Sequence, residues 1–397
     1  QVFVTDTVNV ADGVSLSEME VALEAERSTA DIDFDVAGSA SDIIAHASDL
    51  SGASIVTVTD ATGAGFVDAS DGAALNALEV SLVSDDSQSD VLFNVEDSAS
   101  AIASQLAGDN TLLDGAESLV VEGGDTTVAG AANIQSSASY DASNSTYTVS
   151  DTAGAILDAT GTVIDEGITD INVTNPVGAG VGVQLANLED ASLNLETGYS
   201  ADVFFDVSDD ANAIAQALVS AGTGTALDNA EDVEVDGGDV SMASAADIQA
   251  IANYDSAASS YTISDTAGAI LGDPSTSVEQ GVTTIDVDGP VEAGVGVQLG
   301  AFEDSIYGVT GYSSDVQFEV QDDANAIAQA LVDSGMSSLN NAGDVEVDGG
   351  VVSVDSAADI QGIAAYNASA SDYAIEDSSA AILSEQGFSA VVDSGVE

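Results

Sequence analysis

Apolar and polar residues alternate along this chain in short runs that mostly end in an acid, and the pattern returns at near-regular intervals. An aromatic residue is followed at +2 by Val or Ile and at +9 by Ile in seven places: Phe34/Val36/Ile43, Phe93/Val95/Ile102, Tyr147/Val149/Ile156, Phe205/Val207/Ile214, Tyr261/Ile263/Ile270, Phe318/Val320/Ile327 and Tyr373/Ile375/Ile382. The aromatics lie 59, 54, 58, 56, 57 and 55 residues apart while the +9 offset never changes. A fixed offset inside a variable spacing describes a rigid unit joined by tolerant loops. An aromatic-x-Val run flanked by polar residues predicts a strand with one buried face. The Asp at +4 (Asp97, Asp151, Asp209, Asp265, Asp322, Asp377) precedes Ala-rich helical sequence, as at 209–218 and 322–331. There it is expected to act as an N-cap.

A second strand is predicted after each helix, at Val233/Val235, Ile285/Val287 and Val345/Val347, with Leu119/Val121 close to the same form, each followed by an acid and a Gly. The Gly is expected to supply positive φ for a turn, with a further short strand at Val240/Met242 and Val352/Val354. Residues 146–157 recur as 260–271 and 180–185 recur as 294–299, giving a higher period of 112 to 114 residues. The expected fold is a mixed α/β, strand-rich tandem repeat in an elongated molecule. It would hold about seven strand-helix-strand-turn-strand units of ~57 residues, pairing into repeats of ~113. The expected divisions are an N-terminal strand and partial unit at 1–33, repeats at 34–114, 115–228 and 229–340, and a partial repeat at 341–397.

Charge narrows the function. Seventy Asp and Glu stand against a single Arg and no Lys, a net charge of −69. That excludes nucleic acid, whose affinity comes from basic residues neutralising phosphates, and attraction to anionic membranes. A hydrophobic content of 45% places the chain on the folded side nonetheless. Without Cys there are no disulfides or thiolate sites, and a single His, His46, rules out any site needing two imidazoles. No apolar run reaches membrane length, the longest being the Gly-rich stretch 177–188. The sequence starts at Gln1 with no basic n-region and apolar h-region, so a signal already removed or another export route is expected. Self-repulsion at this charge calls for abundant counter-ions, which fits a saline or divalent-rich medium outside the cell.

The runs Tyr147 to Ile156 and Tyr261 to Ile270, followed by Ile285-x-Val287-x-Gly289 and the Ala-rich segment 244–249, carry a resemblance. The chain resembles the β-strand repeats of large secreted bacterial surface proteins of the adhesin-like or surface-layer-like kind. The resemblance implies an extracellular or cell-surface location more than an activity. It departs from calcium-binding nonapeptide arrays, since no Gly-Gly-x-Gly-x-Asp series is present.

Few residues suggest catalysis. A Ser/His/Asp triad could be built only around His46, in an Ala-rich helical stretch. Asp-Ser-Gly occurs at 333–335 and 393–395, after a helix and near the end of the sequence, which does not describe an aspartic dyad. Glycoside hydrolysis would need a sugar cleft in a chain with no Trp. The segment Gly178/Gly180/Gly182 lacks basic residues for phosphate and reads as a Gly-rich strand. Cation binding fits better. Asp31, Asp33 and Asp35 alternate along one strand, although Val36 stands where an EF-hand needs Gly. Acidic turns recur at Asp236/Asp239, Asp286/Asp288, Glu122/Asp125 and Asp348, with adjacent carboxylates at Asp209/Asp210 and Asp322/Asp323. Calcium or another divalent cation is the candidate ligand. The alternative is a solvated acidic surface with N-caps.

These features lead to the expectation of a non-catalytic extracellular structural protein that self-assembles into a filament or surface lattice. The alternatives are an adhesin stalk or glycan-binding module with cell-surface polysaccharide as partner, and a secreted hydrolase. Val8, Val10 and Gly13 match the second strand and turn of a unit whose first half is missing, while the seventh unit stops near Val391 and Val392. The alternating segment Gln1, Val2, Phe3 and Val4 is expected to add as a strand to the sheet of a neighbouring copy.

Overall fold

A computed structural model describes residues 2–26, 32–50, 52–59, 66–85, 90–159, 167–189, 201–222, 225–277, 281–306, 315–335, 339–384, 389 and 395–396. The chain is mixed α/β, built from repeated strand–helix units whose strands pair in parallel. Contacts divide it into two compact units, one of residues 1–175 and 184–205 and one of residues 176–183 and 206–397.

In the first unit, parallel pairing runs from Ile32–Gly38 through Ala53–Val58 to Asp90–Leu92, and from Asn94–Asp97 through Ser118–Thr126, Thr146–Asp151 and Ile168–Val173 to Asp202–Phe204. In the second, it runs from Asp206–Asp209 through Asp232–Val240, Ser260–Asp265 and Val282–Val287 to Asp315–Gln317. A further set joins Glu319–Asp322, Asp344–Val352 and Asp372–Ile375. A parallel neighbour requires a crossover, and the crossovers here are helical, from the short Ala99–Leu106 to the 17-residue Ala69–Asp85, while strands separated by a single residue, such as Asp90–Leu92 and Asn94–Asp97, pair with different partners. Alternate strand residues are buried and the rest half-buried or exposed, so only one sheet face meets the core.

The seven aromatic triplets form that core. In six of them all three side chains are at most 2% exposed, while in the seventh Tyr373 is buried and Ile375 and Ile382 are half-buried. The buried tyrosines need a polar partner for their hydroxyls, and each receives a hydrogen bond from a Gln twelve residues earlier: Gln135 to Tyr147, Gln249 to Tyr261 and Gln361 to Tyr373. The Phe triplets follow a different helix, one with a Gly laid against the next strand. A Cβ on Gly13, Gly72 or Gly296 would lie 2.7, 2.6 and 2.6 Å from a methyl of Val36, Val95 and Val320 respectively.

Several expectations need correction. The third short strand is not separate: Asp232–Val240 is one strand with a register shift between Asp236 and Asp239, and Asp344–Val352 has the same shift between Asp348 and Val351. The Gly pairs do have positive φ, but as bulge residues rather than a turn. They also allow close approach, since a Cβ on Gly238 or Gly350 would lie 3.0 Å from the amide of Ala211 or Ala324. A second helix follows each bulged strand, as at Met242–Gln249 and Val354–Gln361. The stretch around Gly178–Gly182 is not a strand but opens the helix Ala179–Leu188, and its counterpart at 294–299 lies in the helix Ala293–Ile306. The segment that begins at Val8 does not repeat a second strand and turn, because Val10–Glu26 is a helix of the Gly-bearing type.

Candidate functional site

Local backbone chemistry sets the acidic surface. Five of the Asp residues at +4 end a strand and Asp377 lies two residues past one, and in each case the N-cap is the residue after it: Ser98, Thr152, Asp210, Thr266, Asp323 or Ser378. The Asp itself clamps two successive strand–helix units. One carboxylate oxygen accepts from the amide of the following residue, at 2.6 to 2.9 Å in all six copies. The other accepts from the first amide of the preceding unit's helix: Ala69 to Asp97, Val128 to Asp151, Ala179 to Asp209, Met242 to Asp265, Ala293 to Asp322 and Val354 to Asp377, at 3.0 to 3.2 Å. A carboxylate at this place meets both the free amides and the positive end of the helix dipole.

A second clamp repeats beside the bulges. Ser145, Ser259 and Ser371 accept at Oγ from the buried amides of Val121, Val235 and Val347, the residues just before the bulges. Each hydroxyl then donates to the carbonyl of Asp141, Asp255 or Asn367.

Of the sequence candidates for a cation, Asp209 and Asp322 are clamps, and Asp210 and Asp323 are caps that accept from Ala213 and from Asn325 and Ala326. Asp236 and Asp239 are exposed on either side of a Gly-Gly bulge, and Asp348 is exposed beside another, in register with Asp372. Asp33 and Asp35 share a half-buried face, with Ser54 donating to Asp33, while Asp31 lies outside the described residues. Further acids stand in register on neighbouring strands, Asp206 beside Asp232, Glu319 beside Asp344 and Asp170 beside Asp202. Parallel neighbours are about 4.8 Å apart, so these carboxylates repel. Burial and the charges of Asp255 and Asp206 hold Asp232 above the usual Asp range, and burial and Glu122 do the same to Glu96.

Asp286 and Asp288 line a cavity of about 560 Å³, joined by Asp315, Glu319 and Asn341. Beside it stands a residue that the sequence reading missed. Glu303, on the helix Ala293–Ile306, is only 6% exposed, accepts from the Val316 amide and has its Oε2 buried without a hydrogen-bond partner. Its carboxyl faces that of Asp315, and burial followed by that neighbour pushes it up to about 7. Glu79 shares part of the arrangement: it is half-buried, its Oε2 is buried without a hydrogen-bond partner, and burial and the charge of Asp90 raise its titration. A signal was present: Glu stands seven residues after Gly in Gly13/Glu20, Gly72/Glu79, Gly182/Glu189 and Gly296/Glu303, and Asp stands three before Phe at 31, 90, 202 and 315. Among the described residues no three acidic or His side chains converge closely enough to hold a metal by themselves.

The residues considered for catalysis have structural contacts. His46 is exposed at the end of the helix Ala40–Ala45, its Nδ1 2.9 Å from the Asp42 carbonyl. Asp333 accepts from Gln329, Ser334 donates to the Ala330 carbonyl, and Gly335 ends the helix with positive φ. Asp393 and Ser394 lie outside the described residues. Of the assembly candidates, Val2 and Phe3 pair in parallel with Ile32 and Asp33 of their own chain, and the Val4 amide donates to the Asp33 carbonyl. Gln1, Val391 and Val392 lie outside the described residues. Among the described residues no helix is long and apolar enough to cross a membrane. Comparison with family models, with curated proteins and with solved structures finds no match.

Proposed function

We propose that this is a non-catalytic structural protein, working outside the cell or at its surface, whose copies associate into a filament or lattice. In this reading about seven units of ~57 residues pair into repeats of ~113 along an elongated molecule. The observation that carries the proposal is the repetition of the clamps. The same Asp joins successive units in six places, and the same Ser and Gln bonds recur at alternate units. Polar side chains that often carry chemistry elsewhere are here committed to stacking one unit on the next. The edge strand Val2–Phe3, with side chains 53% and 63% exposed, is the proposed contact between copies. Since that strand already belongs to its own sheet, the proposed contact is edge to edge rather than donation of a detached strand.

Sedimentation velocity across a concentration series, in calcium-containing buffer, tests this reading with wild type and a Val2→Asp/Phe3→Asp variant. The wild type should shift to larger species as concentration rises, and the variant should keep the same circular dichroism while remaining small. Association unchanged in the variant would overturn the edge contact, and no association by wild type at any concentration would overturn the function.

A further inference from the structure

We propose that the facing carboxyls of Glu303 and Asp315, and the pair Glu79 and Asp90 at the repeated positions, are divalent-cation sites that take calcium. Each site combines a Glu from the Gly-bearing helix with an Asp at the start of the strand that follows. While both members of a pair are ionised they are acceptors only, so the buried Oε2 of Glu303 and of Glu79 then meets no donor. A buried carboxylate held against a second one is costly unless a proton or a cation lies between them. With one Arg and no Lys in the whole sequence, the chain has too few cationic side chains to serve two such pairs.

Holding the strand amide does not explain the choice of residue. A Gln would accept from Val316 as well and would donate to Asp315, yet Glu occupies all four repeated positions, 20, 79, 189 and 303. The setting also attracts cations. Asp315 opens into the cavity lined by Asp286, Asp288 and Glu319, and Asp304 lies beside Glu303 on its own helix. Two carboxylates with water completing the shell are a hard, oxygen-only ligand set, with affinity expected at the weak end, about 10⁻⁴ to 10⁻³ M, as in extracellular calcium modules.

Thermal melts of the full chain in EDTA and in CaCl2 at ~5 mM, with NaCl added to equal ionic strength, test the proposal. In EDTA at pH 8, Glu303→Gln and Glu79→Gln should melt at or above wild type, because each removes a like-charge contact. In calcium, each should lose part of the rise in Tm that wild type shows, and the double variant should lose both parts additively. If a Gln variant does not fold, Asp315→Asn and Asp90→Asn, at exposed strand positions, carry the same comparison. Three results would overturn the proposal: a calcium-dependent rise fully retained in the double variant, a rise in wild type no larger than NaCl gives, or a rise obtained by acidification alone with none from calcium. The last would mean that the pairs hold protons.

Discussion

Replacing Asp265 by Ala removes two hydrogen bonds that serve different units. Its oxygens accept from Thr266 at 2.7 Å and from Met242, twenty-three residues earlier, at 3.0 Å. Thr266, not Asp265, is the N-cap, so the loss is not that of a cap alone. A cap would be worth about 1 kcal/mol. Hydrogen bonds to a charged acceptor contribute about 1.5–3 kcal/mol each. Asp265 is half-buried, which favours the lower end for both and a total cost of about 3 kcal/mol. Asp265→Asn keeps one acceptor oxygen and should cost about half as much, while Thr266→Ala should cost about 1 kcal/mol. Urea unfolding gives the totals, and amide hydrogen exchange gives the place. The Met242 amide should exchange at least about tenfold faster in Asp265→Ala, since 1.4 kcal/mol corresponds to one decade. Met242 protection unchanged from wild type, or a cost below that of Thr266→Ala, would refute the clamp.

Gly296→Ala should destabilise by about 1–3 kcal/mol through overpacking against Val320, and Val320→Ala in the same chain should return part of that loss in a chemical melt. Ser259→Ala leaves the buried Val235 amide without its acceptor and should cost about 1–3 kcal/mol, whereas Ser143→Ala, at an exposed hydroxyl bonded only to Asp141, should be nearly silent in the same assay. Glu96 and Asp232 titrate above their ordinary values, so the folded state binds their protons more tightly than the unfolded state. Their repulsion is present at neutral pH and relieved as the pH falls through their raised values. A shallow rise in Tm is therefore expected on mild acidification at low salt, smaller in Glu96→Gln, and an equal slope in that variant would contradict it.

The strand–helix repeat was legible because its signal is local. An aromatic, a Val and an Ile at fixed offsets put three side chains into one core layer wherever they occur, and Phe34, Val36 and Ile43 show it as plainly as Phe318, Val320 and Ile327. The clamps were not legible, because Asp265 finds Met242 and Ser259 finds Val235 only after the sheet has aligned segments more than twenty residues apart. Reading Asp265 as a cap was off by one residue, since Asp and the following Thr are both good capping types and the pattern does not rank them. Gly178–Gly182 misled because Gly and Val are poor helix formers. The packing of that helix type, in which Gly296 lies directly on Val320, overrides propensity. Glu303 was hidden among seventy acids, and only its fixed distance from Gly296 and its burial set it apart.

The proposed assembly is open to direct observation. Electron microscopy of the purified chain, in calcium and molar NaCl over a range of concentrations, tests it most directly. Filaments or a lattice are expected, with an axial repeat that matches one chain or a simple fraction of it, lost when Val2 and Phe3 become Asp. Dispersed single particles under every condition would contradict it.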